Sequence, residues 1–382
     1  MLTRASYREK IVTALHRSPV CALLGPRQCG KTTLASEIAK TRESHYFDLE
    51  SPRDVLRLQN PELELGALSG LIVLDEIQVM PEVFPILRVL ADRPQASAKF
   101  LILGSASPEL MRRSSETLAG RVEFVDLHGF DIQETGAEFS RRLWVRGGFP
   151  RSFLADSDGD SMAWREGFVR TFLERDLPQF GIRVGAPVMR RFWTMLAHSH
   201  GQLWNASGLG RSMGLTDKTV KSYLDDLTQT YMIRQVQPWF ENGRKRQVKA
   251  PKIYLRDSGL LHHLLGLGTS NELTAHPGVG ASWEGFAMEQ VLRLTGARDA
   301  YFWATQSGAE LDLLLFQKDR RIGYEFKYSE SPRISRSMRI AMEDLKLDAL
   351  RIVCPGDVRA TLDAGIEVHG IQTLPASLTP GG

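Results

Sequence analysis

Residues 20–33 read Val-Cys-Ala-Leu-Leu-Gly-Pro-Arg-Gln-Cys-Gly-Lys-Thr-Thr, and this stretch decides the fold. Its apolar first half predicts a buried strand that ends at Gly25. Gly25, Gly30, Lys31 and Thr32 have the spacing G-x-x-x-x-G-K-[ST] of a phosphate-binding loop. In such a loop, backbone N–H groups converge on phosphate oxygens, the lysine reaches the terminal phosphates and the hydroxyl binds Mg²⁺. The stretch therefore predicts a nucleotide site.

A helix predicted over residues 31–40 supports the same interpretation. Its positive amino-terminal end points at the anion that the loop would hold. The predicted nucleotide-binding residues are those of the loop, namely Gly25, Pro26, Arg27, Gln28, Cys29, Gly30, Lys31, Thr32 and Thr33.

The composition is that of a globular protein with more than one domain. At 382 residues the chain exceeds one ordinary core, so two or three domains are expected. The net charge of +3 provides no overall argument for nucleic acid. The three cysteines lack paired or metal-type spacing, and the beginning of the chain lacks the apolar core of a signal peptide. We therefore expect a cytoplasmic protein that does not bind a membrane.

A second apolar strand, residues 70–75, ends in two acids. Asp75 is predicted to hold Mg²⁺ together with Thr32 of the loop, and Glu76 to polarise the attacking water. The pairing of this strand with the phosphate loop predicts hydrolysis of the nucleotide.

A third apolar strand, residues 99–105, ends at Ser105, which is the predicted sensor of the γ-phosphate; Ser107 is the alternative. Strands and helices alternate from residue 20 to about residue 130. This alternation predicts an α/β fold, a P-loop parallel sheet flanked by helices with its ligands at the carboxyl ends of the strands.

The order of the motifs resembles a large family of bacterial and archaeal AAA-type ATPases whose C-terminal half is a domain of unknown function. The resemblance lies in the phosphate loop, Leu-Asp-Glu-Ile-Gln (74–78), Leu-Ile-Leu-Gly-Ser-Ala-Ser (101–107), Leu-Ala-Gly-Arg (118–121), Gly-Gly-Phe-Pro (147–150) and Leu-Glu-Arg-Asp-Leu (173–177). It implies that ATP and Mg²⁺ are bound. It also implies that Arg121 acts as a trans-acting or sensing arginine on the transferred phosphoryl group, a role for which Arg112 and Arg113 compete.

The middle of the chain carries two further segments. Residues 136–185 are predicted to form a helical lid or bridge. Residues 186–265 have the pattern of a winged helix-turn-helix, with two strands around a basic tip. If this segment binds DNA, its second helix places Lys218, Lys221 and Ser222 in a major groove, and the tip places Arg244, Lys245 and Arg246 on phosphates.

The alternative is that the winged helix is a packing or protein-interaction module. The same helix also carries the acids Asp217, Asp225 and Asp226. Both interpretations stay open from the sequence.

Residues 275–375 contain a second constellation of charged residues. Glu325 and Lys327 are two apart on a predicted strand and so share a face, and Asp312 lies on the strand before it. With Glu284 on a helix, they resemble the metal site of the restriction-endonuclease-like fold. The resemblance implies that Glu284, Asp312 and Glu325 bind Mg²⁺ and that Lys327 orients water or stabilises developing charge. Retained nuclease activity is left open.

The sequence thus predicts an ATPase whose core, residues 1–135, couples nucleotide turnover to DNA binding or processing. The alternative is an ATP-controlled protein-interaction switch with a non-catalytic nuclease-like scaffold. The expected partners are ATP and either DNA or a protein; the oligomeric state is left open.

Overall fold

The computed structural model describes residues 2–93, 98–105, 117–240 and 248–378. The chain divides into two compact units. The first comprises Met1–Gly129 with Gln229–Tyr231, and the second comprises Phe130–Thr228 with Met232–Gly382. The boundary at Gly129 falls a few residues before the predicted end of the nucleotide-binding core.

The first unit is built on five parallel strands in the order β2-β3-β4-β1-β5. They are β1 (Val20–Gly25), β2 (Ser44–Asp48), β3 (Gly70–Asp75), β4 (Ala98–Ser105) and β5 (Val122–Asp126). The predicted α/β fold with a parallel sheet is confirmed. Because the strands run in one direction, the carboxyl ends of β1, β3 and β4 meet at one edge.

Helices bury both faces of this sheet. The described helices of the unit are α1 (Ala5–Arg17), α2 (Lys31–Ala39), α3 (Pro52–Arg57), α4 (Pro61–Gly66) and α5 (Val83–Ala91). On β1, Leu24 packs in the cluster that contains Phe84 of α5. The neighbouring Leu23 packs with Ile11 of α1 and Leu34 of α2 on the other face. Burial on both faces explains why this strand is a continuous apolar run in the sequence.

The second unit begins with a series of helices, several of which share one core. They are α6 (Ile132–Thr135), α7 (Ser140–Arg146), α8 (Pro150–Phe153), α9 (Asp158–Thr171), α10 (Leu177–Gln179), α11 (Ala186–His198), α12 (Ala206–Met213) and α13 (Asp217–Gln229), with a π-helical segment, Phe172–Asp176, before α10. Phe168 of α9, Trp193 of α11 and Leu224 of α13 belong to one buried cluster. The segments predicted as a bridge and as a winged helix therefore pack together.

The second unit also contains a nine-stranded sheet in the order β13-β14-β12-β11-β10-β9-β7-β8-β6. Its strands are β6 (Gln202–Leu203), β7 (Ile233–Pro238), β8 (Lys252–Leu255), β9 (Ala300–Ala304), β10 (Glu310–Gln317), β11 (Arg320–Phe326), β12 (Ala349–Cys354), β13 (Arg359–Asp363) and β14 (Ile366–Gly370). Strand β10 is antiparallel to β11, which is parallel to β12. Gln237 and Pro238 of β7 pair with β9. The predicted winged-helix and C-terminal segments thus contribute to one continuous sheet.

The remaining helices are α14 (Ser258–Leu264), α15 (Ser270–Ala275), α16 (Val279–Thr295), α17 (Arg336–Asp344) and α18 (Leu374–Leu378). Glu284 of helix α16 contacts Lys252 of β8. Lys252 in turn contacts Asp312 of β10. Within the described ranges, no helix combines the length and the apolar character needed to cross a lipid bilayer.

Candidate functional site

The loop between β1 and α2 has a backbone that depends on its glycines. A Cβ atom on Gly25 would lie 2.0 Å from the carbonyl oxygen of Leu127, so any other residue would displace the backbone. Gly30 has a φ of 99°, which is accessible to glycine at little cost. Gln28 also has a positive φ, 61°. The chain therefore makes a tight turn directly at the end of β1.

Lys31 lies across this turn. Its Nζ donates hydrogen bonds to the carbonyl oxygens of Gly25, at 3.1 Å, and Pro26, at 2.9 Å, and the residue is only 5% exposed. Thr32 and Thr33 follow in the first turn of α2 and are exposed. The ammonium group is thus held in the loop, next to the backbone N–H groups that would receive phosphate.

Arg4 supports the loop from the first residues of the unit, and the sequence analysis missed it. Its guanidinium donates to the carbonyl oxygens of Cys29, at 2.9 Å, and Gly129, at 3.3 Å. The residue is 6% exposed. A single arginine before a helix has no local sequence signal, since its partners are distant in the chain. Cys29 itself is fully buried.

The two predicted acids lie at the carboxyl end of β3. Asp75 is 3% exposed and accepts a hydrogen bond from the hydroxyl of Tyr46, 2.6 Å away. Burial and this carboxylate hold the pKa of Tyr46 above its usual range. Glu76 has a positive φ of 54°, and its carboxylate accepts a hydrogen bond from Gln78. The strained backbone at Glu76 is typical of residues held in a defined position at a functional site.

Ser105 lies between the loop and the acids. It ends β4, the strand that separates β1 from β3, and it is in register with Gly25. Its side chain is 1% exposed, and its Oγ has no hydrogen-bond partner among the described residues. Burying a hydroxyl without a hydrogen-bond partner costs free energy, unless a bound ligand supplies that partner. The alternative sensor, Ser107, lies outside the described residues.

Arg121 lies at the amino-terminal ends of the strands, on the side of the sheet opposite the phosphate loop. It precedes Val122, which is in register with Val20 at the beginning of β1, whereas the phosphate loop follows the end of β1. Five residues of strand separate the two ends by about 16 Å. Its guanidinium binds Asp92, with distances of 2.6 and 2.8 Å. This position does not favour a sensing role for Arg121 in its own chain; the sensing role and the trans-acting role both stay predictions. Arg112 and Arg113 lie outside the described residues.

The second constellation does come together in space. Lys327 Nζ lies 2.7 Å from Glu325 and 3.9 Å from Asp312, and the backbone N–H of Phe326 donates to Asp312 at 3.0 Å. Glu284 of α16 joins them through a residue that the sequence analysis missed. That residue, Lys252 of β8, has its Nζ 3.4 Å from Glu284 and 3.6 Å from Asp312. We call these five side chains the acidic cluster.

The acidic cluster does not fit a divalent cation in the predicted way. Among the described residues, no group of three or more His, Cys, Asp or Glu side chains is arranged to hold a metal ion. Lysine ammonium groups already compensate the carboxylates. Burial, reinforced by Asp312, also raises the pKa of Glu284 to about 7 and that of Glu325 to about 8, and protonated carboxyls are poor ligands.

The helix predicted to enter DNA is α13, which follows α12 after a short turn. Lys218, Lys221 and Ser222 are exposed on it, whereas Val220 and Leu224 are buried in the core. The acids near its end, Asp225 and Asp226, are half-buried, and Asp225 accepts a hydrogen bond from Gln235. Arg244, Lys245 and Arg246 lie outside the described residues.

Comparison with known families divides the chain in three. Residues 17–136 match the family described as an AAA domain. Residues 138–271 and 279–374 match two families, each described as a domain of unknown function (DUF8612 and DUF4143). The parallel sheet, the phosphate loop and the first match define residues 17–136 as a P-loop domain of the AAA type.

Two mycobacterial proteins are similar over nearly the whole chain. They are the uncharacterized protein Mb2031c of Mycobacterium bovis and the uncharacterized protein Rv2008c of Mycobacterium tuberculosis. Each is 51% identical over 375 residues, which cover 98% of this chain and 85% of the relative. The chain belongs to the same family as these two proteins.

Solved structures with partial similarity include the following two. The Walker-type ATPase PABY2304 of Pyrococcus abyssi is 16% identical with a TM-score of 0.49, covering 69% of this chain and 96% of its own. A single-substitution variant of RuvB from Thermotoga maritima is 17% identical with a TM-score of 0.30, covering 62% and 90%. These similarities are too low to assign a function.

Proposed function

We propose that this protein binds ATP with Mg²⁺ and hydrolyses it. The observation that carries the proposal is the meeting of four groups at one sheet edge: the glycine-dependent loop, the buried Lys31, the unpartnered Ser105 Oγ and the acids that end β3. A triphosphate would supply an acceptor for the Ser105 hydroxyl and would replace the loop carbonyls as the acceptors of Lys31. Mg²⁺, when bound, would neutralise charge on the β- and γ-phosphates.

The residues have separate roles in this proposal. Lys31 exchanges its bonds to the loop carbonyls for phosphate oxygens, and Thr32 and Asp75 would hold the metal ion. Glu76 accepts the proton of the attacking water, for which its carboxylate must leave Gln78. Ser105 donates its hydroxyl to the γ-phosphate. Each role requires its side chain to lie beside the phosphate loop, at the carboxyl ends of the strands.

The test is steady-state ATP hydrolysis by purified wild type and two variants. Lys31→Ala is expected to abolish ATP binding, whereas Glu76→Gln is expected to bind ATP and to hydrolyse it at least about 100-fold more slowly. Lys40→Ala, an exposed lysine just after α2, is the matched control and should retain wild-type turnover. Wild-type turnover by Lys31→Ala would refute the proposal.

We further propose that nucleotide turnover is coupled to DNA binding through α12 and α13, which we interpret as a winged helix-turn-helix. The supporting observation is that α13 exposes Lys218, Lys221 and Ser222 while Asp225 is engaged with Gln235. Duplex binding should weaken in Lys218→Ala/Lys221→Ala and with rising salt. ATP turnover should change when duplex DNA is added.

The second candidate is an ATP-controlled protein-interaction switch whose C-terminal sheet is a non-catalytic, nuclease-like scaffold. Lys252 is the observation that favours it, because an internal ammonium occupies the space between Glu284 and Asp312. Two results would favour the switch. ATP turnover would be insensitive to salt and unchanged by duplex DNA, and plasmid DNA would stay intact after incubation with Mg²⁺. Cleavage that Asp312→Asn abolishes would refute the scaffold.

A further inference from the structure

A groove of about 880 Å³ lies at one end of the second unit's sheet. Its walls include the loop between α16 and β9 and the turn between β10 and β11. The volume is within the range of ligand-binding pockets, about 300–1,000 Å³. Phe316 of the groove and Asp312 of the acidic cluster are four residues apart on β10, about 13 Å. The groove is therefore separate from the acidic cluster.

Three aromatic rings form one side of the groove. The centroid of Trp239 lies 4.7 Å from that of Phe316 and 5.1 Å from that of Tyr301. Phe316 is 38% exposed, which is high for a phenylalanine on a central strand of a sheet. Trp239 and Tyr301 are half-buried and hold the exposed Phe316 ring in place. Together the rings offer a platform on which a planar group can stack.

Basic side chains surround this platform from two walls. Arg298 comes from the loop before β9, and Lys318 and Arg320 come from the β10–β11 turn. All three are exposed, and none forms an ion pair with another described residue. Asp299 is the one acid among the described residues that line the groove. The groove is therefore complementary to an anion with several separated charges.

We propose that this groove binds single-stranded nucleic acid, with bases stacked on Trp239 and Phe316 and phosphates on Arg298, Lys318 and Arg320. A duplex hides the faces of its bases, so it cannot use the aromatic platform. A mononucleotide carries its phosphates at one position, whereas the cations come from two walls. This function goes beyond the proposed duplex contact of α13, since it uses a different surface.

The test is fluorescence anisotropy of a labelled oligothymidylate with the full chain and no ATP. Phe316→Ala should weaken binding about 10-fold, because stacking on one aromatic side chain contributes about 1–3 kcal/mol per base. Arg298→Ala/Arg320→Ala should weaken it by a similar factor and reduce the slope of log affinity against log salt by about 1.4. Thermal unfolding of each variant checks that the fold is intact.

The matched control is Arg333→Ala/Arg336→Ala, which removes two exposed arginines outside the groove lining and should stay within about 2-fold of wild type. Equal losses in this control and in the groove variants would overturn the proposal. So would competition by thymidine monophosphate as effective as that by the oligomer, or no binding by wild type. The groove assay contains no ATP, so its outcome does not depend on ATP hydrolysis. Duplex binding by Lys218→Ala/Lys221→Ala is measured in parallel. Failure of the groove proposal is therefore distinguishable from failure of the proposed function.

Discussion

Lys252 and Asp312 lie on strands β8 and β10, which two other strands separate, yet the ammonium nitrogen of one is 3.6 Å from the carboxylate of the other. The lysine side chain reaches across the sheet beside Phe302, whose ring centroid is 5.7 Å from Nζ. Both residues are buried. An internal ammonium therefore balances carboxylates at the position where a nuclease-like site would hold a cation.

The first prediction concerns removal of this ammonium. Lys252→Met is expected to lower the free energy of unfolding by about 3 kcal/mol, because Glu284 loses its ammonium partner and Asp312 keeps only Lys327, 3.9 Å away. Mn²⁺ should restore part of this loss, because it can take the place of the missing ammonium beside the carboxylate oxygens of Glu284 and Asp312. Urea unfolding with and without Mn²⁺ measures both effects. The exposed Lys249→Met is the control, and stabilisation of wild type by Mn²⁺ to the same extent would contradict the prediction.

The second prediction concerns pH. Burial and the neighbouring Asp312 raise the pKa of Glu325 from 4.5 to about 8. Folding then favours the protonated carboxyl, so this contribution to stability is complete below pH 4.5 and is lost as the pH rises through about 8. Glu325→Gln should therefore lose less stability than wild type between these values. Unfolding free energies measured across this range test it, with the exposed Glu330→Gln as control; parallel curves for wild type and Glu325→Gln would contradict it.

The third prediction concerns Arg4, which touches the phosphate loop from behind. Arg4→Ala should lower the free energy of unfolding by about 1–3 kcal/mol, because the carbonyl oxygens of Cys29 and Gly129 lose a buried donor. It should also weaken ATP binding, since the loop loses a support. Calorimetric titration with ATP and Mg²⁺ measures the second effect. Arg8→Ala removes an exposed arginine from the helix that follows and should change neither quantity; an equal change in both variants would exclude a specific support.

Side chains that are adjacent along the chain could be assigned to a site from the sequence. Side chains that come together only when distant strands pair in a sheet could not. The phosphate loop and the Asp75–Glu76 pair each end a single apolar strand, so local patterning was sufficient to place them. The position of Arg121 directly before a strand already indicated that it lies away from the phosphate loop, which follows a strand. Lys252 could not be assigned to the acidic cluster, because nothing in a linear pattern shows that β8 and β10 belong to one sheet.

The last prediction separates function from stability at Ser105. Its buried Oγ has no partner among the described residues, so Ser105→Ala removes an unsatisfied hydroxyl and should leave the free energy of unfolding unchanged or raise it. ATP hydrolysis should nevertheless fall about 10- to 100-fold, because the hydroxyl is expected to donate to the γ-phosphate. Ser152 is the matched control: it is equally buried, but its hydroxyl donates to the carbonyl oxygen of Arg146 at 2.7 Å and contacts Ser161. Ser152→Ala should lose about 1 kcal/mol of stability and retain turnover. A loss of stability without a loss of turnover in Ser105→Ala would show that the hydroxyl is structural.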